Sequence, residues 1–439
     1  MARKRNPLLQ EVQEIPSEAN AVILEKGYSL SESFKILCKN LNAAAVGTGL
    51  VATLFSTLGP GVIVMNAAKQ GGLTEAQAVS WLLGIYAFGG LATMFVSLRY
   101  RIPLVVAYSI PGAILLGKLL ARFSLSQAVG AYMVVGLVTL ILTLTGAIKK
   151  VVDHIPGPVM LGMVGGVLLS FGVNMFSAAI KKPSIYGIML VLFLAVMGFR
   201  KFSQKFPPII VAMIVGAALL YFFGLITPVT MSWQFAQPRL ALPSFSLSAI
   251  LNISVPLFFL VIGVQNIQAV GVLMAEGYTP PINAMYLIPS IGAFVNGFIG
   301  AHPAVTAGPS TAICSSSASG ERKDLRFIAA FFEGVFWFCF ALLAKVAVDA
   351  VKLVPAEFAA VLTGLAMFDV FGSAFRGAFT GQFKSGAVVA FFITITNISI
   401  FGIGAPFWAI VLGVLTSLLV ERGDFKFFQA RKEAKAAIA

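Results

Sequence analysis

Long apolar stretches recur along almost the whole chain, and each is about as long as one membrane crossing. Most run for roughly 17 to 25 residues, the length that a helix needs to cross a hydrocarbon layer of about 30 Å. With 58% hydrophobic and 11% charged residues, the chain has more apolar surface than a water-soluble core can hide. Membrane barrels alternate apolar and polar residues, whereas these stretches are continuous. The sequence therefore predicts an all-α membrane protein.

About 14 such stretches are predicted as transmembrane segments, seven in each half of the chain. They cover residues 44–65, 76–98, 103–119, 128–148, 158–176, 185–199, 208–223, 254–275, 282–298, 303–316, 327–351, 355–375, 385–401 and 406–420. We expect a cytoplasmic N-terminal segment (1–43), a first seven-span repeat (44–223), a connecting loop (224–249), a second seven-span repeat (250–420) and a cytoplasmic tail (421–439).

The basic residues lie at the ends of the apolar stretches and set the expected orientation. With the N-terminal segment inside, 23 of the 31 Lys and Arg residues lie on the inner side and 7 on the outer side, as the positive-inside rule requires. Because each half has an odd number of spans, the second half starts on the opposite side of the membrane and has the inverted orientation. The net charge of +14 is spread over single residues and pairs without clustered aromatic residues, so nucleic acid is not an expected partner.

An internal repeat supports the inverted arrangement. Aligning Pro156 with Pro355 also brings Gly165 onto Gly364, at an offset of 199 residues. The segment that begins at Pro103 aligns with the segment at Pro303 at an offset of 200. Two stretches therefore give nearly the same period, which is typical of transporters built from inverted repeats.

The third and tenth segments are short and interrupted, and they are related by this repeat. In each, an extended entry is followed by a proline, Pro111 or Pro309, which suits the first turn of a helix. Two half-helices of opposite direction would bring two partly positive N-termini together, which favours an anion site. Hydroxyl groups lie at these turns, on Tyr108, Ser109, Ser310 and Thr311. The alternative is that proline and glycine only kink two ordinary helices.

Three amides interrupt the eighth segment, at Gln265, Asn266 and Gln268. Amides cost free energy in lipid unless they face protein or a water-filled cavity. We interpret them as part of a binding site, although a single amide that bridges two helices would be ordinary packing.

Few ionisable residues lie inside the predicted segments. Lys345 and Asp349 are four residues apart and are predicted to form a structural ion pair. Glu333 has no charged residue three or four positions away. Burial therefore favours its neutral acid, which makes it a candidate proton carrier, although a locally hydrogen-bonded acid is a competing interpretation. Asp369 and His302 are further proton-coupling candidates.

Several short motifs in this order resemble the benzoate/proton symporter family of bacterial inner membranes. The resemblance covers residues 44–420 and is carried by the segments 72–81, 97–103, 108–112, 265–266, 276–281 and 310–314. It implies two inverted seven-span repeats, as in uracil/xanthine permeases and sulfate-permease-like anion transporters. It also implies a core domain of spans 1–4 and 8–11 that moves against a gate domain. The implied substrate-binding residues are Tyr108, Ser109, Gln265, Asn266, Thr306, Gly308, Ser310 and Thr311.

The resulting hypothesis is proton-coupled symport of benzoate or a similar small aromatic carboxylate across the bacterial inner membrane. The rival hypothesis is an uncoupled inorganic-anion channel or exchanger with the same fold. The spacing of the acids and the histidines fits no membrane enzyme, and the three cysteines have no metal-ligand spacing. We expect no metal and no cofactor. The expected partners are a small organic anion, protons and lipid, and a homodimer is kept open.

Overall fold

Helices make up almost all of the chain over the residues that the structure describes. The computed structural model describes residues 24–58, 60–147, 156–199, 208–396, 398–400 and 403–425. The elements of the first half are α1 (Leu30–Lys39), α2 (Ala43–Leu58), α3 (Pro60–Gln70), α4 (Glu75–Tyr100), β1 (Val106–Tyr108), α5 (Ile110–Leu119), α6 (Leu125–Leu144), α7 (Gly157–Lys181), α8 (Ile188–Gly198) and α9 (Pro208–Phe222).

The second half begins with a helical run, α10 (residues 247–275), which includes π-helical turns at Ile250–Ser254 and Phe259–Asn266. The remaining elements are α11 (Ile282–Phe298), β2 (Ala304–Thr306), α12 (Gly308–Ser315), α13 (Phe327–Leu342), α14 (Ala344–Lys352), α15 (Ala356–Phe379), α16 (Lys384–Thr396), β3 (Ser399–Ile400), β4 (Ile403–Gly404) and α17 (Ala405–Val420). The second of these turns contains Gln265 and Asn266, two of the predicted binding residues. Since π turns are rare and often lie at functional sites, this turn supports the prediction of a binding site there.

Several of these helices are apolar and long enough to cross a membrane. Within the described ranges, four helical stretches meet both conditions alone, and a fifth does so if α7 and α8, which meet at a bend of 118°, count as one broken span. Further apolar helices of 10 to 17 residues include α5, α9 and α11. Large apolar side chains such as Val191, Ile214 and Phe222 are exposed on the outside of the helices, as expected for surfaces solvated by lipid. The chain is an all-helical membrane protein, and the described ranges add two short strand pairs.

The helices pack in two groups. In one group, α4 and α2 pack on α13, and α6 packs on α11. In the other, α7 packs on α15 and α16, and α16 packs on α17. Residues 224–246 connect α9 to α10 without a helix. Their backbone N–H groups donate hydrogen bonds to carbonyl oxygens at the ends of three helices: Ala236 to Leu342, Ala241 to Phe298, and Ser244 to Ser126.

The structure differs from the prediction of one helix over residues 327–351. Leu343 separates α13 from α14, and α14 carries charged residues that reach the first turn of α4. Lys345 Nζ lies 2.5 Å from Glu75 Oε1 and 2.7 Å from Asp349 Oδ1. These ionic contacts hold one side of α14, and Ala344 and Val348 are buried in the hydrophobic core.

The predicted ion pair between Lys345 and Asp349 is confirmed. Burial alone would raise the pKa of Asp349, but hydrogen bonds from Lys345, from the Ser232 backbone N–H and from Lys352 lower this pKa to about 2. The carboxylate therefore stays charged throughout the physiological pH range, and the group is structural.

Two glycines allow α4 and α13 to approach closely. A Cβ atom added to Gly90 would lie 2.6 Å from the Gly334 carbonyl oxygen and 3.0 Å from the Phe338 nitrogen. Both atoms belong to the backbone, so a side chain at this position must push the helices apart. Small residues are common where membrane helices cross, because they let the two backbones approach closely.

We expect Gly90→Ala to lower the free energy of unfolding by about 1–3 kcal/mol, as overpacking usually does. The measurement is thermal unfolding of the purified protein in detergent. Gly47→Ala on α2 is the matched control, because a Cβ atom there meets nothing within 4 Å. Equal melting temperatures for the two variants would contradict the close packing described above.

Candidate functional site

The two interrupted segments meet in a short antiparallel strand pair. Val106 pairs with Thr306, Ala107 with Val305, and Tyr108 with Ala304. A helix follows each strand, α5 from Ile110 and α12 from Gly308, each with a proline in its first turn. The predicted breaks before Pro111 and Pro309 are confirmed. Because the strands run in opposite directions, the two helices leave the pair at opposite ends.

A cavity of about 50 Å³ lies between the starts of these two helices. Its walls come from α2, the start of α3, the β1–α5 and β2–α12 junctions, α10 and α13. The lining residues are Phe55, Ser56, Pro60, Ala107, Tyr108, Ile110, Pro111, Gln265, Gln268, Ala307, Gly308, Pro309, Ser310 and Trp337. No Lys, Arg, Asp or Glu is among these described residues, so helix ends, amides and hydroxyl groups provide the polarity of the cavity.

The predicted binding residues divide into two sets. Tyr108, Gln265, Gly308 and Ser310 line the cavity. The other four, Ser109, Asn266, Thr306 and Thr311, are fully buried and make hydrogen bonds that shape its walls. The structure thus brings all eight residues to one place, and half of them lie behind the surface of the cavity.

Asn266 joins α10 to the second strand. Its Oδ1 accepts hydrogen bonds from the Thr306 backbone N–H at 2.9 Å and from the Thr306 hydroxyl at 2.8 Å. Its Nδ2 has no hydrogen-bond partner among the described residues, and neither does Gln265 Oε1. Buried polar atoms are normally paired, so these two amide atoms are free to bond a polar molecule.

His302 holds the start of α5 in place. Trp81 Nε1 donates to His302 Nδ1 at 2.7 Å, and the other ring nitrogen, Nε2, lies 2.8 Å from the Ser109 carbonyl oxygen. Since an indole can only donate, Nδ1 is the acceptor and Nε2 carries the proton. A second proton on this ring would break the bond to Trp81, so the contacts favour a neutral, structural histidine.

An aromatic cluster forms one side of the cavity. The Tyr86 and Tyr108 hydroxyl oxygens are 2.7 Å apart, and they lie 3.0 Å and 2.9 Å from the Ser56 carbonyl oxygen, which accepts from one or the other. Trp337 Nε1 donates to the Ser56 hydroxyl at 2.7 Å. The sequence analysis missed Phe55, Tyr86 and Trp337 because each lies within an apolar stretch that resembles ordinary membrane helix.

Glu333 lies on α13 next to the cavity and is fully buried. Its Oε2 accepts a hydrogen bond from Cys314 Sγ at 3.1 Å, and its Oε1 has no hydrogen-bond partner among the described residues. Cys314 lies on α12, the same helix as Ser310, which lines the cavity. Of the other proton-coupling candidates, Asp369 lies on α15, and its side chain is outside the described part of the structure.

Over the ranges that the structure describes, no group of three or more His, Cys, Asp and Glu residues is arranged to hold a metal ion. The chemistry that the cavity offers is therefore hydrogen bonding and electrostatic attraction from helix ends, next to one buried carboxyl group.

Two solved structures of anion transporters have a similar fold. The transmembrane domain of the cyanobacterial bicarbonate transporter BicA superposes with a TM-score of 0.54 at 17% identity and covers 86% of this chain and 95% of that one. The murine anion transporter Slc26a9 in its inward-facing state gives a TM-score of 0.56 at 12% identity and covers 94% of this chain and 73% of that one. At such low identities the similarity establishes the fold alone.

Curated relatives are similar over nearly their whole length. A benzoate membrane transport protein of Acinetobacter baylyi is 29% identical over 387 residues, which is 88% of this chain and 97% of that protein. The inner membrane protein YdcO of Escherichia coli is 27% identical over 382 residues, 86% of this chain and 97% of that protein. The family model described as benzoate membrane transport protein, BenE, matches residues 39–419. The chain therefore belongs to the BenE family of membrane transport proteins and is not an enzyme.

Proposed function

We propose that this transporter carries benzoate or a similar small aromatic carboxylate together with protons across the bacterial inner membrane by alternating access. The observation that carries the proposal is the cavity between the starts of α5 and α12. The family match and the name of the Acinetobacter relative support benzoate as the substrate.

The walls of the cavity suit both parts of an aromatic carboxylate. The first N–H groups of a helix have no acceptor within the helix, and each helix start has a partial positive charge. Two such ends attract an anion without a buried Lys or Arg, which would be costly at that depth. On the other side, the Phe55, Tyr108 and Trp337 side chains can pack against an aromatic ring.

Glu333 is the best-placed proton carrier. It is fully buried beside Cys314 of α12, and its Oε1 has no hydrogen-bond partner among the described residues. A buried carboxyl group without a cationic partner costs much less free energy as the neutral acid than as the carboxylate. A proton taken up with the substrate would therefore be held close to the carboxylate that it accompanies.

The architecture that we propose has 14 spans in two inverted repeats, residues 44–223 and 250–420. The N-terminal segment (1–43) and the tail (421–439) lie in the cytoplasm, and the loop 224–249 lies outside. Spans 1–4 and 8–11 form a core that moves against the remaining spans, and a homodimer is the assembly to test. Support comes from the two helix groups, from the charge distribution and from the inner-membrane relative.

Uptake of radiolabelled benzoate into proteoliposomes tests this function. We expect an inward proton gradient to drive accumulation above the level in protein-free liposomes, which measure passive entry of the neutral acid. Abolishing the gradient should remove the excess. Uptake that ignores the proton gradient would contradict symport, and electrical currents carried by chloride or sulfate would favour the uncoupled channel or exchanger.

A further inference from the structure

The first helix, α1, has an exposed apolar stripe. Its members fall on one face of the helix or just past its end, and all of them are exposed: Leu30, Phe34, Cys38 and Leu41. The adjacent face is buried against the protein through Ser33 and Leu37. The stripe therefore needs an apolar environment other than the helices on which α1 packs.

Specific contacts hold α1 against the ends of two other helices. The Arg101 guanidinium group, at the end of α4, lies 4.0 Å from the centre of the Tyr28 ring, and Arg101 Nε donates to Ser33 Oγ at 2.9 Å. Glu25, five residues before α1, accepts hydrogen bonds from two N–H groups in the first turn of α11. The helix is therefore docked on the protein, and its exposed stripe has a fixed place.

This stripe leads directly to a helix that is suited to cross the membrane. Only residues 40–42 separate α1 from α2, a distance of less than about 15 Å. Together α2 and α3 form an apolar stretch, Ala43–Gln70, that is long enough for a membrane span. Exposed residues on α2, Gly47, Leu50 and Leu54, are spaced to form one face. The lipid that surrounds α2 is therefore next to the stripe of α1.

A third face of α1 is basic. Lys35 and Lys39 are four residues apart and exposed, and Lys26 before the helix is also exposed. None of these lysines forms an ion pair with another described residue. The one acid within α1, Glu32, lies 3.7 Å from Arg101. The lysine charges are therefore available to a negatively charged partner.

We propose that α1 is an interfacial helix that binds anionic phospholipid. Leu30, Phe34 and Cys38 lie in the outer part of the acyl region, and Lys35 and Lys39 contact the headgroup phosphates. A helix with an apolar stripe beside a face that carries lysines binds membrane surfaces in this way, and anionic lipids strengthen the binding. The inference goes beyond the proposed function and depends only on the membrane location of the chain.

Electron paramagnetic resonance of a spin label on Cys38 tests the position of the stripe. Cys314 is buried, so in Cys339→Ala protein Cys38 is the one exposed cysteine of the chain. In proteoliposomes that contain phosphatidylglycerol, we expect this label to collide more with oxygen, which concentrates among acyl chains, than with a water-soluble nickel chelate. A label on Lys35→Cys, with Cys38 and Cys339 both replaced by alanine, is the matched control and should show the reverse preference.

Two results of this measurement would overturn the proposal. A Cys38 label that prefers the nickel chelate would place the stripe in water. A Cys38 label that is shielded from both reagents would indicate that a second copy of the protein covers the stripe.

Thermal unfolding in detergent tests the lysines. Short-chain phosphatidylglycerol should raise the melting temperature of the wild-type protein, whereas phosphatidylcholine and inorganic phosphate at the same concentration should not. In Lys35→Ala/Lys39→Ala protein, we expect the phosphatidylglycerol concentration for the half-maximal shift to rise about 30-fold, because each lysine near an anionic lipid contributes a factor of about five.

Lys181→Ala/Lys182→Ala is the matched control, because it removes two exposed lysines from the end of α7. Its response to phosphatidylglycerol should equal that of wild type. An unchanged response of the Lys35→Ala/Lys39→Ala protein, an equal loss in both double variants, or equal stabilisation by inorganic phosphate would each overturn the proposal. Neither measurement involves benzoate transport, so these results are separate from the test of the proposed function.

Discussion

Replacing Gly308 with valine should abolish benzoate uptake while the protein still folds. Gly308 begins α12 and lines the cavity opposite Gln268. A Cβ atom at this position would lie 2.7 Å from Gln268 Cγ and 2.8 Å from Gln268 Cδ. Valine must therefore displace Gln268 and occupy space in a cavity of only about 50 Å³. We expect the initial rate of uptake to fall about 100-fold, which corresponds to about 3 kcal/mol of lost binding.

Gly47→Val is the control for the general effect of valine in place of glycine. Gly47 lies on α2, and a Cβ atom there meets nothing within 4 Å, so this variant should transport normally. Gel filtration and thermal unfolding of both variants show whether they fold. If folded Gly308→Val protein transports benzoate at the wild-type rate, the substrate does not pass through the cavity between α5 and α12.

Replacing Glu333 with glutamine should remove proton-driven accumulation of benzoate and preserve benzoate exchange. Glutamine has nearly the shape of glutamic acid and can still accept the hydrogen bond from Cys314, but it cannot take up and release a proton. We expect steady-state accumulation in a proton gradient to fall to the level of protein-free liposomes. Exchange of internal for external benzoate, measured at equal pH on both sides, should stay within a few fold of wild type.

Glu357→Gln is the matched control for loss of a carboxyl group. Glu357 lies in the first turn of α15 and is exposed, so its replacement should not change accumulation. Asp369→Asn tests the second acid in the same assay. Full accumulation by Glu333→Gln together with loss of accumulation by Asp369→Asn would assign the proton to Asp369 and contradict the role proposed for Glu333.

The parts of the site that could be predicted from the sequence are those with a local signal. Pro111 and Pro309 break their helices through backbone geometry that depends only on neighbouring residues, and the structure has both breaks. Lys345 and Asp349 are four residues apart on one helix, so their contact follows from helix periodicity. Amides within an apolar stretch are equally visible in a sequence.

The remaining parts depend on packing between distant segments. Trp337 reaches Ser56 across 281 positions of the chain, and Cys314 meets Glu333 on the next long helix. A tryptophan or a cysteine in an apolar stretch gives no sign of these partners, because such residues are common in ordinary membrane helices. The end of α13 at Leu342 was missed because no proline or glycine marks it in the sequence.

A density map of the purified protein with bound benzoate tests the central claim most directly. We expect ligand density between the starts of α5 and α12, with the carboxylate within about 3 Å of backbone N–H groups in the first turn of α12 and the ring against Trp337. Density for benzoate at any other place, or a carboxylate that points away from both helix starts, would contradict the account of an anion held by two opposed helix ends.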